Sequence, residues 1–238
     1  MVNVVTGTVL PLVFAVIVSI VYMYANKFKI RHKSNKQKIV SFAAGVSITY
    51  LLLEFYPRFT QGAFEISEYL FLSVLFGFTI HHVIEKEIYL HHHKHGLVKM
   101  LSKEENVFSY VYHVIVGMVM VYLARISLFE GALYFATIFS YTFVSTLPTK
   151  PHKQFWKSLM LSSSTIVGAL IGVLFAPWIP LWVEFVLMGL AIGVLMFTVV
   201  RHHIPFGRDG RADYFVIGFV SFALWIFKAV SKIVLPTS

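Results

Sequence analysis

Cysteine is absent from the 238 residues. Disulfides and thiolate metal sites are therefore excluded, and the redox compartment cannot be read from thiol usage. Charge is scarce as well. Only 13% of residues are Asp, Glu, Lys or Arg, about half of what a soluble domain carries. Acidic residues are the scarcer sign, 11 against 20 basic, for a net charge of +9. Glycine-rich phosphate loops and H-E-x-x-H helices are also missing, which leaves no sequence basis for ATP-driven work or for a zincin-type hydrolase. What fills the chain is apolar: 58% hydrophobic residues and a mean hydropathy of +0.76. Such a sequence is not built for water.

The apolar residues fall into eight runs, near 4–25, 39–56, 66–88, 106–127, 131–148, 157–176, 181–200 and 212–234. Most reach the roughly 20 residues that a helix needs to cross a bilayer. The first run has neither a basic n-region before it nor a small-residue cleavage site, so it is read as a retained helix and not a signal peptide. The expectation is one all-α integral membrane domain over 1–238, with eight transmembrane helices and a His-rich cytoplasmic loop at 89–105.

The basic residues set the orientation. Lys27, Lys29, Arg31, Lys33, Lys36 and Lys38 follow span 1, and Lys86, Lys94, Lys99 and Lys103 follow span 3. Lys150, Lys153 and Lys157 follow span 5, and Arg201, Arg208 and Arg211 follow span 7. The opposite loops hold only Arg58 and Arg125. Positive charge stays cytoplasmic, which places both termini outside. Basic residues gathered into loops between apolar runs argue for a lipid bilayer as partner and against nucleic acid. The plasma (inner) membrane is the expected location, with the chain passing through it many times.

Two segments resemble each other. Gly45–Pro57 reads GVSITYLLLEFYP, and Gly193–Pro205 reads GVLMFTVVRHHIP. Both open on Gly-Val, end on proline, and place a polar residue at one offset, Glu54 against His202. They lie in spans 2 and 7, which cross in opposite directions. Inverted repeats of this kind build transporters whose sites lie where broken helices meet. Chance recurrence of Gly and Pro, both frequent in membrane helices, is the alternative.

On these features the chain resembles the ZIP (Zrt-, Irt-like) metal transporters over nearly its whole length. FAAGVSITYLLLEFYP (42–57) looks like the second helix of that family. HHVIEKEIYLHHHKH (81–95) is similar to the exit of its third helix, and GALIG (168–172) to the end of its sixth. The resemblance implies an eight-helix inverted-repeat bundle, external termini, a His-rich cytoplasmic loop, divalent cations as cargo with Zn²⁺ foremost, alternating access without ATP, and a homodimer. It implies no resident cofactor and no enzymatic activity.

The sequence departs from the family at the metal site. The family carries His-Asn-x-x-Asp on helix 4 and His-Glu-x-Pro-Glu on helix 5. Here helix 4 reads HVIVG from His113, and helix 5 reads Ser145-Thr146-Leu147-Pro148-Thr149. On helix 4 His113 stands while the other ligand positions are apolar or empty; on helix 5 Pro148 stays and hydroxyls replace the histidine and both glutamates. In helix 6, Thr165 falls near a family glutamate. The expected transport path is therefore His113, Ser145, Thr146, Thr149, Thr165 and Glu54, with His113 as the metal ligand. Each has a plainer reading. His113 could hydrogen-bond to a neighbouring helix, the hydroxyls could satisfy carbonyls freed by Pro148, and Glu54 could snorkel and pair with Arg58.

His91, His92, His93 and His95 are candidate regulatory metal ligands, with Glu85 or Glu87 in support. The alternative is a solvated helix end. His202 and His203 form a further polar cluster beside Arg201, whose charge disfavours a cation and suits an anion or lipid headgroup. Two functions are carried forward. One is a divalent-metal transporter with a reduced site. The other is a protein of the same fold that conducts protons or small polar solutes, or that regulates without transporting. A membrane hydrolase ranks below both, because the core lacks clustered ligands.

Overall fold

A computed structural model describes residues 4–25, 33–91, 94–146, 155–203 and 210–234. All regular structure among the described residues is helical. Hydrocarbon imposes this, since only a helix or a closed barrel pairs its backbone groups internally. In chain order the helices are α1 (Val4–Ala25), α2 (Lys33–Tyr50), α3 (Tyr56–Ile66), α4 (Phe71–His91), α5 (Lys94–Ile126), α6 (Leu128–Ser145), α7 (Phe155–Phe175), α8 (Leu181–Thr198) and α9 (Ala212–Val234). A π-turn, Leu51–Phe55, joins α2 to α3, and a second, Val199–His203, extends α8.

Six segments among the described residues are long and apolar enough to cross a membrane: Gly7–Ala25, Asn35–Ile66, Val107–Ile126, Leu128–Ser145, Ser158–Phe175 and Leu181–Arg201. The chain is a multi-pass helical membrane protein. Large side chains such as Leu72, Phe76, Leu174, Trp178 and Phe227 are exposed on the outside of the bundle. That much apolar surface suits lipid and would promote aggregation in water. The third and eighth expected spans fall on helices α4 and α9, which are not among these six. α4 carries Glu85, Lys86 and Glu87 in its final turns, which shortens its apolar stretch.

Two expectations change. Span 2 does not end before Pro57. The Tyr56 N–H bonds to the Leu51 carbonyl, five residues back, and Pro57 sits in the first turn of α3. A proline lacks the N–H that a continuing helix would use, and it is tolerated where a first-turn N–H has no partner to meet. The helix therefore runs on to Ile66. The segment 89–105 is not a loop where it is described. α4 reaches His91 and α5 begins at Lys94, in keeping with a stretch rich in Leu, Lys, Met and Glu, all good helix formers.

The two similar segments fold alike. Each π-turn opens six residues after its glycine, Leu51 after Gly45 and Val199 after Gly193. Their helix contacts match too. α2 packs on α9 and α8 packs on α4. A Cβ on Gly45 would strike the Phe215 carbonyl and Phe219 nitrogen of α9, and one on Gly193 would strike the Val74 carbonyl and Phe78 nitrogen of α4. In return Gly218 faces the backbone of Phe42, and Gly77 that of Leu190. Phe42 and Leu190 each lie three residues before the repeat glycine. One close helix crossing is thus made twice, and small residues are what membrane helices use to approach so closely.

The core lies between α2, α5, α6 and α8, around Tyr50, Phe55, Met120, Leu123, Tyr134, Ile138, Met188 and Ile192. Because the glycine crossings leave no room for a methyl, Gly77→Ala or Gly193→Ala should each cost about 1–3 kcal/mol of stability through overpacking. Thermal melting of purified protein in detergent reads this. Exposed Leu72→Ala, which faces outward, should leave the midpoint nearly unchanged.

Candidate functional site

His113 lies on α5 and is 3% exposed. Its Nδ1 is 2.7 Å from the Ser109 carbonyl oxygen, one turn back, and its Nε2 is 3.4 Å from Thr142 Oγ1 on α6. In the neutral ring Nδ1–H donates to the carbonyl, and Nε2 accepts from the threonine hydroxyl. Tyr22 and Tyr112 meet the ring edge-on, with centroids 5.5 and 5.4 Å away. The structure thus gives His113 the interhelical hydrogen bond of its plainer reading.

The hydroxyls behave similarly. Thr146 Oγ1 donates to the Thr142 carbonyl at 2.7 Å, and Ser145 Oγ donates to the same carbonyl at 3.2 Å. That carbonyl also accepts the Thr146 N–H at 3.1 Å, so the hydroxyls fold back onto the last turn of α6 and add to a bond the helix already makes. Thr146 is buried and Ser145 is exposed. Thr142, which the sequence reading did not single out, is the hydroxyl that reaches His113. Thr165 is buried where α7 meets α5, its backbone carbonyl under Gly117, one turn along from His113. Thr149 lies outside the described residues, as do His92 and His93 and the side chains of His91, His95, His202 and His203. Among the described residues no group of three His, Asp or Glu side chains is placed to hold a metal ion.

A second polar cluster forms at the junction of α3 with α6. Arg58 forms an ion pair with Glu130 and lies 3.9 Å from Glu54, one turn earlier. Ser127 caps α6 by accepting the Phe129 N–H at 3.2 Å. That cap fixes Glu130 in the first helical turn, where the helix dipole favours a negative charge. The side chains of Arg58, Glu54 and Glu130 are 30%, 16% and 8% exposed. Arg58 meets both carboxylates. One guanidinium thus faces two carboxylates.

The inner wall of this cluster is aromatic. Tyr50 and Phe55 stack at 5.5 Å, and Tyr134 lies 6.0 Å from Tyr50 and 5.2 Å from Phe55. Tyr134 is one turn beyond Glu130. Tyr112, next to His113, has its ring 5.9 Å from that of Tyr141 and belongs to the same buried core as Tyr134. Polar groups thus occur in the core at Tyr50 and Tyr134, inward of Arg58 and Glu130, and at Tyr112 and His113. Among them, Arg58 Nε, Glu130 Oε2, Tyr134 Oη and Tyr112 Oη are buried and meet no hydrogen-bond partner in the protein. Such orphans are rare in native interiors and mark places for water, a proton or an ion.

The sequence reading brought Glu54 and Arg58 together and missed Glu130, because it began the fifth span at residue 131. The signal was present. Acidic residues are few, and Arg58 and Glu130 are opposite charges at the ends of the second and fifth apolar runs, which the fold sets side by side. Arg125 and Glu184, 3.8 Å apart, repeat that pattern.

Comparison with family models, with curated proteins and with solved structures returns no match. The function therefore rests on this geometry.

The charge count ranks substitutions. Glu130→Gln removes one of two carboxylates and leaves Arg58 with Glu54. Arg58→Gln strands both carboxylates. Loss of one partner costs about 3–5 kcal/mol in a fully buried pair, and partial exposure reduces this. Arg58→Gln should lower stability by about 2 kcal/mol, and Glu54→Gln by less than half of that, in detergent melts at neutral pH. Equal effects would mean that the two carboxylates do not share the cation.

Proposed function

We propose that this protein is a multi-pass transport protein of the plasma (inner) membrane. It has eight spans, external termini and two inverted repeats, spans 1–3 against 6–8, and the species it moves or couples to is a proton. The observation that carries the reading is the excess of carboxylate over cation at Glu54, Arg58 and Glu130, in helices long enough to cross the bilayer. A net buried charge is costly in low dielectric, and a bound proton removes it. Glu130 Oε2 supplies an acceptor with no other partner. Tyr134, Tyr112 and His113 carry groups that donate and accept along the way inward, and ordered water between them completes a relay.

The matched π-turns support the same reading. π-turns inside α-helices recur at functional sites, and here one of them carries Glu54. Two equivalent irregularities in two equivalent helices supply the broken helices around which an inverted-repeat protein changes its access.

Divalent metal, foremost Zn²⁺, is the second reading. Its support is the repeat arrangement that the resemblance to ZIP transporters implies, together with His113 in the core. His113 Nε2 would serve as a ligand once its long bond to Thr142 opens. Hydroxyls alone are poor zinc ligands, and the second carboxylate-rich cluster already holds an arginine. The proton reading therefore fits the donor set better.

Proteoliposomes with a pH dye inside, and a zinc dye in a parallel set, separate the two. A proton leak well above empty vesicles, reduced at least tenfold by Glu130→Gln, is expected, with zinc flux at the level of the empty control. Zinc flux that falls in His113→Ala would overturn the proton reading in favour of metal. Silence of both dyes, from protein that melts normally, would end the transport reading.

A further inference from the structure

The second π-turn borders a cavity that proton transport leaves without a role. It measures about 500 Å³ and lies between α4 and α8, within the roughly 300–1,000 Å³ of ligand pockets. Its walls are apolar: Phe78 and Leu90 on α4, Phe197 and Val200 on α8 and its π-turn. Its remaining lining is polar and mainly basic, with Lys86, Arg201, His82, Tyr89 and Glu85.

The electrostatics favour an anion. Lys86 and Arg201 outnumber the single carboxylate of Glu85. Arg201 Nη2 donates to Glu85 Oε1 at 3.4 Å, a long bond that uses one of five guanidinium donors. The Arg201 side chain is 55% exposed and that of Glu85 13%, so the guanidinium is the half of the pair within reach of a ligand. Planar guanidinium matches phosphate geometry in a way that a compact ammonium does not. An apolar cleft beside a basic rim, at the end of membrane helices, suits a molecule with both parts.

We propose that this cavity binds an anionic phospholipid, with its phosphate on Arg201 and Lys86 and part of an acyl chain against Phe78 and Phe197. The proposal needs only that the chain sits in a bilayer, and it stands or falls apart from proton transport. Because the cavity is built on the Val199–His203 turn, an occupied cleft would brace the very turn that matches the one carrying Glu54. Phosphate chemistry alone could also come from a free anion, and the apolar walls are what select the lipid.

The test is binding to delipidated protein in detergent, read by native mass spectrometry with three probes. Dioleoylphosphatidylglycerol supplies phosphate and chains, dioleoylglycerol supplies chains alone, and inorganic phosphate supplies the anion alone. The phospholipid should bind at least tenfold more tightly than dioleoylglycerol, and inorganic phosphate should not displace it. Arg201→Gln with Lys86→Gln should weaken it at least tenfold, and Val200→Trp, which fills the cleft, should do the same with the charges kept. Glu85→Gln should tighten binding severalfold by releasing Arg201, a gain that no merely structural role gives. Equal affinity for the two lipids, or full affinity in the double variant, would overturn the proposal. Displacement by inorganic phosphate would overturn its lipid half and leave an anion site.

Discussion

A bilayer supplies no water to a polar group inside the bundle, so each such group must be answered by another part of the same chain. That constraint orders the whole molecule. It makes the described structure helical, sends the hydroxyls of α6 and α7 back to their own carbonyls, and turns the imidazole of His113 onto Ser109 and Thr142. Where the answering fails, the failure is informative. Among the described residues Ser19 Oγ on α1 goes unanswered, and so do four atoms on α3, α5 and α6: Arg58 Nε and Glu130 Oε2 where one guanidinium faces two carboxylates, and Tyr134 Oη and Tyr112 Oη deeper in the core.

The second organising feature is close backbone approach. Without a hydrophobic drive between helices in lipid, packing depends on small residues that let backbones touch. Gly45 with Gly218, and Gly193 with Gly77, provide this at two crossings of the same design. Each crossing holds a helix rigidly a turn or two before a π-turn. Rigid contact beside a local irregularity concentrates any bending in the irregularity. In the proposed transporter the π-turns are where access changes, and both have charged side chains on or beside them.

Much of the fold was legible because hydropathy alone specifies a helix in a bilayer. The apolar runs at 4–25 and 212–234 have the bounds of the helices α1 and α9, while those at 39–56 and 66–88 begin six and five residues away from the starts of α2 and α4; six segments, α4 and α9 not among them, are long and apolar enough to cross a membrane. Pro57 misled because proline normally closes a helix, and nothing in the one-dimensional pattern announces a π-turn that lets the helix continue. The stretch from Lys94 misled because charge near a membrane edge reads as loop, although its residues favour helix. The repeat was legible in Gly45 and Gly193, and its structural content, paired π-turns and paired crossings, was not. The site was legible only in part. His113 is where the sequence placed it, but its partner is Thr142, and the choice between Thr142 and Ser145 depends on helix rotation, which no sequence pattern fixes. Glu130 escaped because a carboxylate at a span boundary looks solvated until the neighbouring helix brings Arg58 to it.

In the proposed transporter the two halves are oppositely oriented, and the absence of cysteine makes that orientation directly measurable. Single cysteines at Glu68→Cys, before α4, and at Gly210→Cys, before α9, occupy equivalent points of the two repeats. Labelling intact cells with a membrane-impermeant maleimide should modify the first and spare the second until the membrane is opened. Modification of both from the same side would contradict the inverted arrangement and the transport reading that depends on it.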